Sequence, residues 1–188
     1  MTGPAKGRNA AGAEIGRELV IDGRAGMDPS GSEDARRQFR SSLGQFATGV
    51  TCMTTLSPNR EPTGITVSSF NSLSLAPPLI LWSIAGNSTS FAGFQVDDPF
   101  AVNVLSADQE DLATKFARPA SDKFSGVKVH DGLSGVPLLV GCVVYFECVV
   151  AARYPGGDHD IIVGSVRRIF NIGKTPLLFH GGALRTFG

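Results

Sequence analysis

Hydrophobic spacing along the chain changes character near residue 49. Before it, Phe39, Leu43 and Phe46 recur three and four positions apart behind Ser32-Glu33-Asp34. That start offers a hydroxyl to accept a backbone N–H and two acids for the positive end of a helix dipole. A helix is predicted from Ser32 to about Ala47–Gly49. From Gly49 the run Val50-Thr51-Cys52-Met53-Thr54-Thr55 is rich in β-branched residues and reads as a strand. Ser57-Pro58-Asn59-Arg60-Glu61-Pro62 is turn chemistry, and Gly64 to Leu75 alternates Ile65, Val67 and Ser69 with Thr66, Ser68 and Phe70. This second segment is the expected returning arm of a hairpin.

Pro77-Pro78 interrupts the chain, and Leu79 to Ile84 follows as a strand apolar enough to be buried on both faces. Asn87 caps an expected short helix through Phe94, and Phe100 to Leu105 is a further strand with one polar interruption at Asn103. Ser106 and Gln109 form a capping-box pattern for a helix over Asp108–Ala117, stopped by Pro119. Leu138–Arg153 and His159–Phe170 are long β-type runs, and Pro176–Phe187 is a shorter one broken by glycines. Strands dominate, and the helices are too few to supply one crossover per strand. A mainly β chain follows, folded as an antiparallel barrel with peripheral helices rather than a doubly wound sheet. Residues 1–31 carry Gly, Ala and mixed charge without a sustained period and read as a disordered leader to a single domain over 32–188.

Composition narrows the function classes. Lys plus Arg equals Asp plus Glu at 17 each, so no net charge draws the chain to nucleic acid or an anionic membrane. The apolar run from Val136 to Phe146 contains Pro137 and Gly141 and is far short of the roughly 20 residues of a membrane span. Cys52, Cys142 and Cys148 form no CxxC and read as buried free thiols. With no signal-peptide pattern, a cytoplasmic enzyme or binding protein is expected.

The usual catalytic signatures are missing. His130, His159 and His180 have no metal-ligand spacing, there is no Gly-rich nucleotide fingerprint, and Gly132-Leu133-Ser134-Gly135 misses the nucleophile-elbow spacing. Instead Thr63, Thr66, Ser68, Ser69, Asn71, Ser72 and Ser74 crowd one segment, followed by Asn87-Ser88-Thr89-Ser90 at a predicted helix start. Such neutral groups suit a flat polar ligand with a phosphate, its anion at a helix N-terminus. They equally suit ordinary strands, caps and turns.

Gly64-Ile65-Thr66-Val67-Ser68-Ser69-Phe70-Asn71-Ser72-Leu73-Ser74-Leu75-Ala76-Pro77-Pro78-Leu79, then Phe100 to Leu105, then Gly157-Asp158-His159, resembles the flavin-reductase family. Its members are short-chain NAD(P)H:flavin oxidoreductases serving two-component flavin monooxygenases. The likeness runs from about Phe39 to Gly182, and Ala117 to Phe124 and Glu147 to Ile162 look most like reductases of actinobacterial aromatic polyketide pathways.

The resemblance implies an FMN-binding split β-barrel of antiparallel, Greek-key type, assembled as a homodimer with flavin near the subunit interface. It implies that Thr66, Val67, Ser68 and Ser69 line the isoalloxazine edge. Ser83, Asn103 and the turn Asn87, Ser88, Thr89, Ser90 would hold the ribityl chain and phosphate, with Lys123 as phosphate counter-charge. Asp158 and His159 would stand where nicotinamide meets flavin, His159 orienting it. Hydride transfer from nicotinamide to flavin needs no obligatory protein acid or base, which fits the missing triad. The implied activity is reduction of free FMN or FAD by NADH or NADPH for a separate monooxygenase. The alternatives are a split-barrel flavoprotein that holds FMN tightly as oxidase, store or sensor, and a structural dimer without ligand. Leu184, where many relatives carry an aromatic residue after Gly181-Gly182, departs from the family pattern.

Overall fold

The computed structural model describes residues 20–120 and 122–187. Two compact units divide the chain at Ser42/Leu43 rather than at residue 31. The N-terminal unit carries strands β1 (Val20–Ile21) and β2 (Arg24–Ala25), a tight hairpin inside the segment expected to be a disordered leader. Its turn is Asp22-Gly23 with φ of 50° and 75°, the backbone that an Asp-Gly pair adopts readily. The rest of that leader, residues 1–19, lies outside the described residues. Helix α1 (Glu33–Leu43) starts as expected. Ser32 Oγ accepts the Ala35 N–H at 3.1 Å, and Glu33–Arg36 and Asp34–Arg37 pair along its first turns. Phe39 and Leu43 remain 47% and 60% exposed on it.

From Leu43 onward the chain is mainly strand. In order come β3 (Thr48–Gly49), β4 (Thr51–Leu56), β5 (Pro62–Val67), β6 (Asn71–Leu75), β7 (Pro78–Ala85) and β8 (Pro99–Val104). Helix α2 (Glu110–Ala117) is followed by β9 (Val129–Asp131), β10 (Pro137–Leu139), β11 (Val144–Gly156), β12 (His159–Asn171), β13 (Leu178–His180) and β14 (Ala183–Arg185). Seven strands form one sheet in the order β5-β4-β8-β11-β12-β7-β6, every neighbouring pair antiparallel.

That order closes the fold. β5 and β6 stand at opposite ends of the sheet, yet only Ser68, Ser69 and Phe70 join them. Three residues reach about 10 Å, at roughly 3.3–3.6 Å each. The sheet must therefore roll until its two edges nearly meet, giving an antiparallel split barrel. The expected single returning arm over 64–75 is two strands on opposite sides of this seam. Ser69 fills the gap: its Oγ accepts the Ser83 N–H at 3.0 Å and donates to the Ser83 carbonyl at 3.3 Å, on β7 where β6 has not yet begun.

Inside, alternation along β7 buries Ile80, Trp82 and Ile84, with Phe94 and Phe100 packed edge-on or tilted around the indole. Gly164 on β12 is required there, since a Cβ would stand 2.6 Å from the Phe100 ring. A second cluster holds Cys52, Leu105, Phe116, Leu139, Cys142 and Tyr145. All three cysteines are free and buried, as expected, and burial raises Cys142 and Cys148 to about 12.

Three further expectations change. The helix over 87–94 is a turn followed by one 3-10 turn at Phe91–Gly93. Its hydroxyls compete with helix formation: Ser88 Oγ accepts the Ser90 N–H, while Ser90 Oγ turns inward to the Gly64 carbonyl. The run 138–153 is cut by Gly141, at φ of 98°, into β10 and β11. The C-terminal run is a hairpin, β13 and β14, turning on Gly181-Gly182.

Candidate active site

The end of β5 forms one wall of an open groove of about 360 Å³. Thr66, Val67 and Ser68 face it, as an edge strand whose outer backbone groups meet no further strand. The opposite wall is the last turn of α2 and the residue after it: Ala113, Thr114, Ala117 and Arg118. Val50 and, from the C-terminal hairpin, Phe179 and Leu184 complete the lining. Thr66 Oγ1 donates to the Ala113 carbonyl at 2.8 Å and so fixes strand to helix. Alanines at 113 and 117, four apart on one helical face, leave the space that a larger side chain would fill.

A second feature lies along the seam. Ser69 bonds to Ser83 on β7, and two residues further along that strand Ala85 pairs with His159 at the start of β12. The Gly157 φ of 86° turns the chain there, and the Gly86 N–H donates to the Asp158 carbonyl at 3.0 Å. The Asn87 turn and the Asp158-His159 turn are thus side by side. His159 Nδ1–H donates to the Asp158 carboxylate at 2.7 Å, which leaves Nε2 for a ligand and lowers the Asp158 pKa. Asp158 is 94% exposed and His159 45%. Arg153 supports this hairpin, donating to Asp160 at 2.7 Å and to the Phe94 carbonyl at 2.9 Å, with its guanidinium over the Phe91 ring.

Several expected ligand contacts are corrected by burial. Asn103 is fully buried: its amide donates to the Cys52 carbonyl and Thr54 Oγ1 and accepts the Leu139 N–H, so it holds β4, β8 and β10 together and reaches no groove. Lys123 is 7% exposed, and its ammonium donates to the Gly64 and Phe116 carbonyls at 3.0 and 3.1 Å. It is an internal tie, not a surface counter-charge, and burial lowers its pKa. Ser90 is 1% exposed with its hydroxyl shared between Thr63 and Gly64, and Ser88 is engaged in its own turn. A 3-10 turn of three residues also offers no helix N-terminus for a phosphate. Asn87 and Thr89 stay exposed, Ser83 half-buried, and the Ser69 hydroxyl is committed to the seam. Arg118 is the cation that lines the groove, and it has no hydrogen-bond or ion-pair partner among the described residues.

Residues 43–188 match the model of the flavin reductase like domain. The chain belongs to the flavin-reductase family. Among the curated relatives of this flavin-reductase chain, the FMN reductase (NADH) SmoA of Agrobacterium fabrum is 44% identical over 157 residues, covering 84% of this chain and 88% of SmoA. The reductase subunit HsaB of a flavin-dependent monooxygenase of Mycobacterium tuberculosis is 38% identical over 149 residues, covering 78% and 79%. Among solved structures, the NADH:FAD oxidoreductase SgcE6 of Streptomyces globisporus, in complex with NAD and FAD fragments, is similar at a TM-score of 0.78 and 38% identity, covering 86% of this chain and 95% of that one.

The chemistry of the groove fits a flavin. Edge-strand N–H and C=O groups match the donors and acceptors on one side of an isoalloxazine, apolar side chains match its faces, and Arg118 can meet an anionic tail. Val50, Ala113, Thr114 and Phe179 carried no site expectation from the sequence, and Ala117 and Arg118 entered only as the start of the family-like stretch Ala117 to Phe124. The alanine pair four apart facing a Thr-rich strand was the available signal. Leu184, the departure from the family pattern, stands in the groove wall itself.

Proposed function

We propose that the protein reduces free flavin with NADH and releases the product to a flavin-dependent monooxygenase. The observation that carries this reading is the groove at Thr66–Ser68, linked along the seam by the Ser69–Ser83 bond and the Ala85–His159 pairing to the exposed Asp158-His159 turn. When both are bound, the nicotinamide supplies a hydride and the flavin accepts it at N5. The chain aligns the two: β5 backbone groups hold the ring edge, Arg118 meets the phosphate, and His159 Nε2 orients the nicotinamide side. A site without a buried ion pair to the ligand has modest affinity, which suits a flavin that must leave. The relatives favour NADH, and their monooxygenase reductase names favour transfer over storage. They name FMN in one case and FAD in another, and a groove that reads the ring common to both accepts either.

We also infer a homodimer. β6 is the second edge of the sheet and leaves Leu73 and Leu75 47% and 94% exposed, a face that a second copy would cover. Light scattering at twice the chain mass supports this, and a monomer at micromolar concentration refutes it. No helix among the described residues is long and apolar enough to cross a membrane, and a cytoplasmic setting with NADH and a soluble acceptor fits the reading.

The test is NADH oxidation followed at about 340 nm with and without added FMN, FAD and riboflavin. Turnover that requires added flavin is expected. A yellow protein that retains its flavin through gel filtration and ignores NADH would overturn the proposal.

A further inference from the structure

Lys123 and Glu147 are the charged residues buried in the described interior. Glu147 has Arg168 as its counter-ion. Among the described residues Lys123 has no carboxylate partner: its ammonium is met by two carbonyls, Gly64 on β5 and Phe116 in the last turn of α2. An ammonium held this way carries a desolvation cost that a methionine of similar length would avoid. Its geometry indicates what it does. The Phe116 carbonyl is among the last four of α2, which lack partners within the helix and carry the negative end of its dipole. The bond from Lys123 therefore ties down the C-terminal end of α2 at Phe116, two residues before Arg118. Lys115 Nζ donates to the Ser125 carbonyl as a second tie from α2, and Phe124 packs edge-on against Phe116 at 5.0 Å. The second bond, to Gly64, sets β5 against α2 beside the groove, at a carbonyl that also accepts from Ser90 Oγ.

We propose that Lys123 is a positioning residue for flavin recognition: by tying the end of α2 at Phe116 to β5 at Gly64 it holds Arg118 at the groove lip. This rests on the reading that flavin occupies the groove with its phosphate toward Arg118. Lys123 touches no ligand, and its effect passes through Arg118. The ammonium is thus specific to flavins bearing a phosphate.

The experiment measures kcat and KM for FMN and for riboflavin, which lacks the phosphate, in wild type, Lys123→Met, Arg118→Met and the double variant. Arg118→Met is expected to raise the FMN-to-riboflavin KM ratio about tenfold. Lys123→Met should raise the same ratio about fivefold, with kcat changing less than KM, and should add nothing in the Arg118→Met background. A merely structural lysine would move both flavins equally, and that result overturns the proposal. So does a Lys123→Met effect that persists in full without Arg118. If Arg118→Met leaves the ratio unchanged while Ala117→Trp blocks both flavins, the groove reading stands and the role of Lys123 falls. If Ala117→Trp blocks neither, the groove reading itself fails. Lys123→Gln, which keeps an N–H donor group, carries the test if Lys123→Met does not fold. If neither folds, the ammonium is a requirement of folding and the proposal is lost.

Discussion

The groove and the Asp158-His159 turn sit on one seam and are built in opposite ways. The groove is walled by the end of β5, by alanines and by Val50, Phe179 and Leu184, with Thr66 tied to Ala113 and Arg118 as its charged side chain. The turn presents a solvated Asp-His pair held mainly by the backbone bond from Gly86 to Asp158. A fixed, largely apolar recess recognises a flat ring by shape and leaves little ordering to be done on binding. An exposed pair can orient a dinucleotide that arrives and leaves in each turnover, at little cost in affinity. Under the proposed function, flavin takes the first region and nicotinamide the second.

Variants that separate the two KM values test this division. The largest effect is expected from Ala117→Trp, whose indole fills the groove. KM for every flavin should rise at least about thirtyfold, equivalent to roughly 2 kcal/mol of binding, with KM for NADH little changed. Equal changes in both would show that the regions are not separate. Next, His159→Ala should raise KM for NADH about fivefold, the order of one lost hydrogen bond, and leave KM for flavin within twofold. A loss confined to flavin would reverse the assignment. Asp158→Asn, which removes an exposed partner of the imidazole, should raise KM for NADH by no more than about twofold.

Glu147, in neither region, supplies the control of smallest catalytic effect. Its buried carboxylate accepts from Arg168 and the Leu133 N–H, and the Arg168 hydrogen bond is the main cause of its lowered pKa. Because the folded value lies below the ordinary 4.5, the stabilisation is complete above that value and is lost as pH falls through the lowered one. Melting curves of wild type and Glu147→Gln should differ by a few degrees near pH 7, at roughly 2–4 °C per kcal/mol, and converge as pH falls through the lowered value. KM values at pH 7 should be the same for both. A gap that widens in acid would contradict the role given to Arg168.

Periodicity carried most of the fold. β4, β8, β11 and β12 and both α-helices follow from the spacing of apolar residues and from Ser32, Pro119 and the glycine turns. What it hid was the seam. Nothing in the alternation of residues 64–75 marks that the chain leaves one sheet edge at Val67 and joins the other at Asn71, because each half keeps a strand's period. The N-terminal hairpin was legible in Asp22-Gly23 but was obscured by the polar, glycine-rich context around it. In the site, residue type could not separate a hydroxyl or amine facing a ligand from one holding the scaffold. Thr66 and Ser68 line the groove, whereas Ser90, Asn103 and Lys123 bond to carbonyls and hydroxyls of neighbouring segments inside the fold. Burial decides between the two, and burial at those positions follows from closure of the barrel.

The most direct test of the division is a flavin titration without NADH, following FMN fluorescence on addition of wild type, Ala117→Trp and His159→Ala. Saturable quenching by wild type and by His159→Ala with the same Kd, and none by Ala117→Trp, is the expected result. Undiminished binding by Ala117→Trp, or binding lost in His159→Ala, would contradict the placement of flavin in the groove.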